Sequence, residues 1–523
     1  MMKLVPVVFA LFLSLPLFAQ NLRITTSGPD TLDPNQPAAW RITIANVSGK
    51  ELPAATLWLR LPEGDLLSLS PQFDCAFDRG DWRCTLPALA VDETVHIDMS
   101  VKPPFRYGRV TVGASVSYIS GQPESMFGGK TFWREFPVTT AADAGPGSLR
   151  HAIFMINADR DCNTSWPNTP CKAAFRITEP VPDEGWYTVR LRSPLPALTA
   201  FDTGIDGSTQ TAPNTLGPKV ALDGSALAFG DGITTDGPAP SGRSEIRGVA
   251  IGGFPANGIL ATARSEVRVE ECYIGVDPTG RHANPNGSRG IASHLLRGTI
   301  ANNVISGNRR SGIFFLGELS VGPNIRNNRI GVAAHDDTPI GNGASGIYVG
   351  DFYGAYNYPT IEGNVIANNH HFGVALSPKA PMLILANSIR DNGGGGIDVG
   401  LDGPTESAYG VGGVGGVLPV PVILSATYAN GITTITGYSS AGDRRQVLLY
   451  ANSTLDPGGF AEGEQFLGMT PLKFGADSTF TFEYHGDLRG KFINGTSFAV
   501  THWGWDEYSY TSSEFGRAVA VMP

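Results

Sequence analysis

IANNVISGNRRSGI (300–313), IEGNVIANNHHFGV (361–374) and ILANSIRDNGGGGI (384–397) obey one pattern, Ile-x-x-Asn-x-Ile-x-x-Asn-x-x-x-Gly-Ile/Val. Degenerate copies begin at Ile246, Val269 and Ile325. A solenoid of short strands explains such recycling, because each coil buries its apolar side only against the coils above and below. Asn303, Asn328, Asn364 and Asn387 form one predicted column, and Asn308, Asn369 and Asn392 a second. Stacked asparagines of this kind bond to neighbouring coils and serve as scaffold.

Coil spacing adds detail. Ile246 to Val269 and Ile361 to Ile384 are each 23 residues, the length of a bare coil, and Ile300 to Ile325 is 25. Val269 to Ile300 is 31 and Ile325 to Ile361 is 36, so these coils carry inserts. The inserts, YIGVDPTGRHANPNGSRGI (273–291) and RIGVAAHDDTPIGNGASGI (329–347), match at a constant offset of 56. The spacing predicts two loops leaving one corner, roughly 10 Å apart at their bases. It makes a notch with walls at 275–290 and 331–346, Arg309 and Arg310 as floor, and His370 and His371 one coil beyond. His335, Asp336 and Asp337 come from the second loop, and Tyr353 and Tyr356 from the longer coil that follows. Arginine takes carboxylates in bidentate fashion and tyrosine stacks on sugar faces, so these nine residues are the candidate surface for an acidic glycan. The plainer alternative is that solvent-exposed corners are simply polar.

Catalysis stands as the rival reading. A uronate lyase needs a base for the C5 proton, for which Arg309 or Arg310 could serve, and a cation, which Asp336 with Asp337 could hold. A hydrolase needs two carboxylates spaced across the bond, and adjacent Asp336 and Asp337 are poorly fixed for that. Glu270, Glu271, Glu362, Asp391 and Asp398 form no obvious shared column in the sequence. No catalytic residue is therefore assigned, and fold alone does not confer activity.

The remaining sequence frames the solenoid. In 523 residues, 65 are Gly and 38 Pro and only 16% are charged, which suits turn-rich β structure and about three domains. A net charge of −10 with no basic run speaks against nucleic acid. Residues 1–19 read as a secretory signal peptide, with cleavage after Ala19. No second apolar run reaches a membrane span, so export to the extracellular space or bacterial cell surface is expected. Cys75 with Cys84 and Cys162 with Cys171, each nine apart, are expected as local disulfides, with metal binding the lesser alternative. Cys272 falls in the first asparagine column and reads as a buried small side chain.

Residues 20–136 alternate apolar and polar in short runs, a β-sandwich pattern. WRITIANVSG, LWLRLPEG and DCAFDRGDWRCTLPALAVDETVHIDMSV resemble the Ig-like modules common on bacterial surface proteins, which implies a spacer or adhesion module. In 137–402, GPGSLRHAIFMINA places Leu149, Ala152, Ile153 and Ile156 at helical spacing, a helix suited to cover the open end of a solenoid. Its GPGSLRHAI and LPALTAFDTGIDGSTQ resemble the start of secreted bacterial right-handed parallel β-helix proteins of pectin-lyase-like form. After a Gly-rich linker (403–418), residues 419–523 again read as a β-sandwich, and YAN…DPGGFAEGEQFLG and TSSEF resemble the small β-domain that often follows such helices. There Trp503, Trp505 and Tyr508 are secondary candidates for sugar stacking, or else sandwich core. Asp456, Glu462 and Glu464 could hold calcium, though an acidic surface turn is the simpler reading.

The expected fold is all-β: a right-handed parallel β-helix flanked by two β-sandwich domains. The expected activity is recognition of, or adhesion to, a polysaccharide or cell-surface glycan. The alternatives are a polysaccharide lyase or glycoside hydrolase, and a structural spacer. No cofactor is expected, with Ca²⁺ the one alternative.

Overall fold

The computed structural model describes residues 22–27, 38–46, 51–52, 54–60, 65–69, 75–78, 81–102, 113–117 and 124–126, then 134–403 and 418–523. Within those last two spans, 164–169, 238–241, 263–265, 294–296, 317–322, 351–359, 379, 381, 440–444, 457–458, 472–478 and 504–506 lie outside the description. The expected signal peptide falls outside it, as do Tyr353, Tyr356 and Trp505. Two units separate at Arg134/Glu135.

The first unit has a four-stranded and a five-stranded antiparallel sheet. Alternation decides which faces are buried: Trp40, Ile42 and Ile44 are inside, while Arg41 points outward and pairs with Asp98 at 2.6 Å. Cys75 lies opposite Cys84 across two paired strands, and Cys84 is disulfide-bonded.

The second unit opens within the strand Arg134–Val138, and the helix Leu149–Ala158 follows it. Ser148 caps it, its side chain accepting from the His151 amide at 3.2 Å. The four residues at helical spacing, Leu149, Ala152, Ile153 and Ile156, are its buried ones. They belong to the same apolar cluster as the solenoid interior. Cys162 and Cys171 form a disulfide that ties the chain after the helix to the strand Cys171–Phe175.

Three sheets of nine, eight and seven strands build the solenoid, the first of them starting with Arg134–Val138 and parallel from Cys171–Phe175 onward, with one strand of each sheet per coil. The pattern's isoleucines are their inward columns: Ile246, Val269, Ile300, Ile325, Ile361 and Ile384 in the first sheet, all at most 1% exposed. Ile274, Ile305, Ile330, Ile366 and Ile389 fill the second sheet in the same way. The turn from first to second sheet needs one left-handed residue per coil, and Glu271, Asn302, Asn327, Gly363 and Ala386 all have φ between 50° and 64°. This gives the Asn-Asn pairs two separate jobs. Asn302 and Asn327 turn the chain, while Asn303 and Asn328 enter the column.

Column geometry is regular. The backbone amide and side-chain amide of Asn303 both donate to the Asn328 side-chain oxygen Oδ1, at 3.0 and 2.9 Å. Asn328 does the same to Asn364, and Asn364 to Asn387. Cys272 heads this column: it is fully buried, and burial pushes its thiol up to about 12. The second column holds two more members than the sequence pattern shows. Asn286 donates to Asn308, Asn308 to Asn342, Asn342 to Asn369 and Asn369 to Asn392.

Residues 418–523 form one eight-stranded, largely antiparallel sheet. Its two groups of strands are joined through Val519–Met522, so the two layers expected of a sandwich share an edge and curl into a barrel-like form. This sheet continues the solenoid. Glu462 accepts from the amide and side chain of Asn392, at 2.9 and 2.8 Å, as the next asparagine would. Ser512 accepts from the Ile384 amide and Glu514 from the Val399 amide. Glu462, read from sequence as part of an acidic surface turn, is only 7% exposed. The last coil has unpaired donors, and a carboxylate from the following domain satisfies them.

Candidate functional site

The predicted notch does not form between the inserts. The Ala334 amide donates to the Gly280 carbonyl at 3.0 Å, so the two loops touch. A Cβ on Gly280 would meet that of Ala334 at 2.3 Å, which leaves no gap there. The residue beneath both is Gly307, whose amide bonds to Ile340 and which faces Ala283 and Ile340. Arg309 and Arg310 lie beyond the second column instead, at the entrance to the third sheet. The physical reason is the position of Asn286 and Asn342. The inserts precede these column members and the arginines follow theirs, so a common corner in the sequence becomes two sides of one turn.

The loop residues are engaged locally. His335 bonds through Nε2 to the Leu216 carbonyl at 2.6 Å. Hydrogen bonds from the Thr338 side chain and then from its amide, the latter at 2.9 Å, hold the pKa of Asp336 below the usual carboxylate value. Asp337 bridges Arg329 and Arg390, at 2.7 and 2.9 Å. Asp336 and Asp337 therefore turn to different protein partners. His370 and His371 are exposed, with ring centroids 5.3 Å apart. They share a turn position with Arg309 and Arg310, with Gly343 and Ala344 on the coil between. Two coils place them about 10 Å away. Trp503 and Tyr508 occupy paired strands, Phe492–Trp503 and Glu507–Ser512.

A different grouping lies beside the arginines, on the outer face of the third sheet. One outward column there reads Leu260, Ala292, Phe314, Tyr348, Ala375, Asp398. Phe314 and Tyr348, on consecutive coils, stack with centroids 4.9 Å apart and planes 12° apart. Arg289 lies over the other face of Phe314, 3.6 Å from its centroid. Burial, and then the positive charge of Arg310, lower the pKa of Arg289. Among the described residues, Arg289, Arg309 and Arg310 form no salt bridge, whereas Arg243, Arg247, Arg268, Arg329 and Arg390 all do. Arg289 thus borders a half-buried aromatic stack, with Arg309 and Arg310 in the turn one coil on, and among the described residues none of the three is paired with a carboxylate. That arrangement suits a flat apolar face carrying a negative group.

Sequence reasoning found the arginines but missed Arg289, Phe314 and Tyr348. A signal existed. The residue after Gly-Ile/Val in each coil points outward on the third sheet, and it is aromatic in GIFF (312–315) and GIYV (346–349).

The first sheet carries the second grouping. Asp206, Arg247, Glu270, Ala301, Arg326 and Glu362 share one outward column, so Glu270 and Glu362 do align. Glu245 lies diagonally from Asp206, because Gly204 is its direct neighbour. Burial, then the charges of Asp206 and Glu270, push the pKa of Glu245 up. Burial acts on Asp206 in the same direction, but hydrogen bonds from Lys172, at 2.9 Å, and Ser208 outweigh it and hold its pKa down.

Residues 239–406 match the family model described as right handed beta helix region, which agrees with the strand pairing. No curated protein matches. Among solved structures, the Agl-KA catalytic domain is 13% identical over 72% of this chain and 82% of its own, with a TM-score of 0.26. The enzymatically active domain of bacteriophage CBA120 tailspike protein 2 is 10% identical over 66% and 69%, with a TM-score of 0.26. The chain spans 17% of the GH20 exo beta-N-acetylglucosaminidase from Vibrio harveyi, at 18% identity over 20% of its own length and a TM-score of 0.17. The fold therefore rests on the chain's own pairing and on the family model: a right-handed parallel β-helix. No helix among the described residues is long and apolar enough to cross a membrane.

Proposed function

We propose that this protein is an exported recognition module that binds an anionic polysaccharide or cell-surface glycan along the outer face of the third sheet. The observation that supports it is the Arg289–Phe314–Tyr348 stack beside Arg309 and Arg310, with no described carboxylate paired to these cations. A sugar ring lies flat on Tyr348 or displaces Arg289 from Phe314, and its carboxylate or sulfate meets the arginines. Export fits the leader-like residues 1–19 and the Cys162–Cys171 disulfide. The first unit, with its Ig-like sequence pattern, serves as a spacer.

A glycan array with the full chain tests this. Binding to acidic glycans is expected, weakened at least about tenfold by Tyr348→Ala and by the Arg309→Ala/Arg310→Ala pair. Unchanged binding in both variants rejects the site.

One observation favours a second reading. Glu245 and Asp206 are neighbouring acids with oppositely shifted pKa values, the pairing that acid–base cleavage of glycosides uses. If this face is catalytic, glycans that bind are cut, and Glu245→Gln stops cutting while leaving binding intact. Simple retention without cleavage favours recognition.

A further inference from the structure

The last coil and the C-terminal sheet meet at three carboxylates that the glycan reading does not use. Asp398 ends the outward column of the third sheet, opposite Ala375. Asp402 sits four residues on in an exposed turn. Glu514 comes from the C-terminal sheet domain and is 1% exposed. One oxygen from each lies within 4.8 Å of the others.

Proximity of acids alone would mean little. The informative member is Asp398: it is fully buried, and among the described residues neither carboxylate oxygen has a hydrogen-bond partner. Burial, then the charge of Asp402, push its pKa up. The amides of Leu401, Asp402 and Gly403 turn toward it and offset part of that effect, yet none completes a hydrogen bond. A native fold rarely leaves both oxygens of a buried carboxylate unsatisfied, and an unseen ion is one of the few explanations. The surrounding turn is built at some strain, with Gly400 at φ 122°, Leu401 at φ 65° and Gly403 at φ 92°. Leu401 holds a left-handed conformation that favours glycine. The turn thereby brings Asp402 back over Asp398.

We infer that Asp398, Asp402 and Glu514 bind a divalent cation, Ca²⁺ by preference, which clasps the last coil to the C-terminal sheet. The set is all oxygen, with no His or Cys, which selects a hard cation. Three carboxylates in an irregular turn suit the flexible coordination of calcium better than the strict octahedron of magnesium. Glu514 uses one oxygen, Oε1, on the Val399 amide, so a single residue joins the cation to the backbone of the last strand. The alternative without an ion is a proton shared between Asp398 and Asp402.

The two alternatives respond oppositely to simple conditions. Full-length protein, stripped with EDTA and titrated with CaCl₂ by calorimetry at pH 7.5, is expected to bind one ion with a dissociation constant of about 1 mM or tighter. Its melting temperature rises with CaCl₂, and MgCl₂ at equal concentration gives a smaller rise. Asp402→Asn, placed in the exposed turn, weakens calcium binding at least about tenfold and does not lower the melting point of the stripped protein, because it removes a like charge beside Asp398. Asp398→Asn removes the calcium response but raises the melting point of the stripped protein, since a buried charge is gone. No binding heat and no calcium-dependent melting shift, with stability that rises on acidification in wild type but not in Asp398→Asn, overturn the proposal in favour of the shared proton. Glycan binding is read separately, so either result stands whatever the third sheet recognises.

Discussion

The two ends of the solenoid are closed by opposite chemistry. At the first coil, a helix lays Leu149, Ile153 and Ile156 on the open apolar interior, and a disulfide fixes the chain behind it. At the last coil the C-terminal sheet also supplies apolar side chains, Tyr450 and Phe515. Its specific bonds, however, come from Glu462, Ser512 and Glu514 meeting backbone and asparagine donors. A solenoid end exposes both an apolar interior and a ladder of unpaired polar groups. Apolar closure is indifferent to pH. Closure by carboxylates is not.

The largest effect is expected at the helix. Ile156→Asp puts an unpaired charge in a fully buried position and destabilises the second unit on the order of 4 kcal/mol. Thermal melts at pH 5 and pH 8 should show the loss at both, somewhat smaller at pH 5. Loss confined to one pH would mean that this end is not closed by apolar packing.

Glu462 carries the contrasting prediction. Burial raises its pKa from the ordinary 4.5 to about 7, against the hydrogen bonds from Asn392, which pull it down; Asp456 and Asp391 add to the rise. A raised acid pKa means the folded chain holds a proton that the unfolded chain has lost. The contribution to stability is full below about pH 4.5 and falls as pH rises through 7, by on the order of 3 kcal/mol in total. Glu462→Gln keeps an acceptor for both Asn392 donors and flattens this dependence, so it should match wild type near pH 4.5 and exceed it at pH 8. Equal pH slopes for the two proteins would remove Glu462 from the closure.

Between the ends, Asn328→Ala leaves the two Asn303 donors without an acceptor and should reduce stability by about 2 kcal/mol. Having no ionisable group, this loss is the same at both pH values, which chemical denaturation can check. It sets the interior of the ladder apart from its Glu462 end.

The strand columns were legible because burial imposes a strict repeat: one isoleucine slipping out of register would turn a column inside out. The first asparagine column was complete for the same reason. The second lost Asn286 and Asn342, because inserts stretch the distance from isoleucine to asparagine from 3 residues, in Ile305 to Asn308, to 12, in Ile330 to Asn342. The distance from asparagine to the next Gly-Ile stays at four in both coils, so counting backward from the glycine recovers them. Misplacing these two residues put Arg309 under the inserts and created the notch. Glu462 was illegible for another reason. Its partner Asn392 is 70 residues away and belongs to a different repeat pattern, so no local spacing announces it.

The smallest stability effect is expected where the functional effect is largest. Arg309 and Arg310 are exposed, form no described salt bridge, and bond to the scaffold through backbone amides that any residue supplies. The Arg309→Ala/Arg310→Ala protein should melt within about 0.5 kcal/mol of wild type at every pH, with both ends of the solenoid closed as before. Scaffold residues in the same turn cannot behave so: Asn308 is 1% exposed and bonded on both sides. If the double variant keeps its stability and loses acidic-glycan binding, the arginines are there for a ligand. If it loses stability instead, they belong to the scaffold, and the contrast between an inert solenoid body and its two differently sealed ends gains a third structural region in place of a binding face.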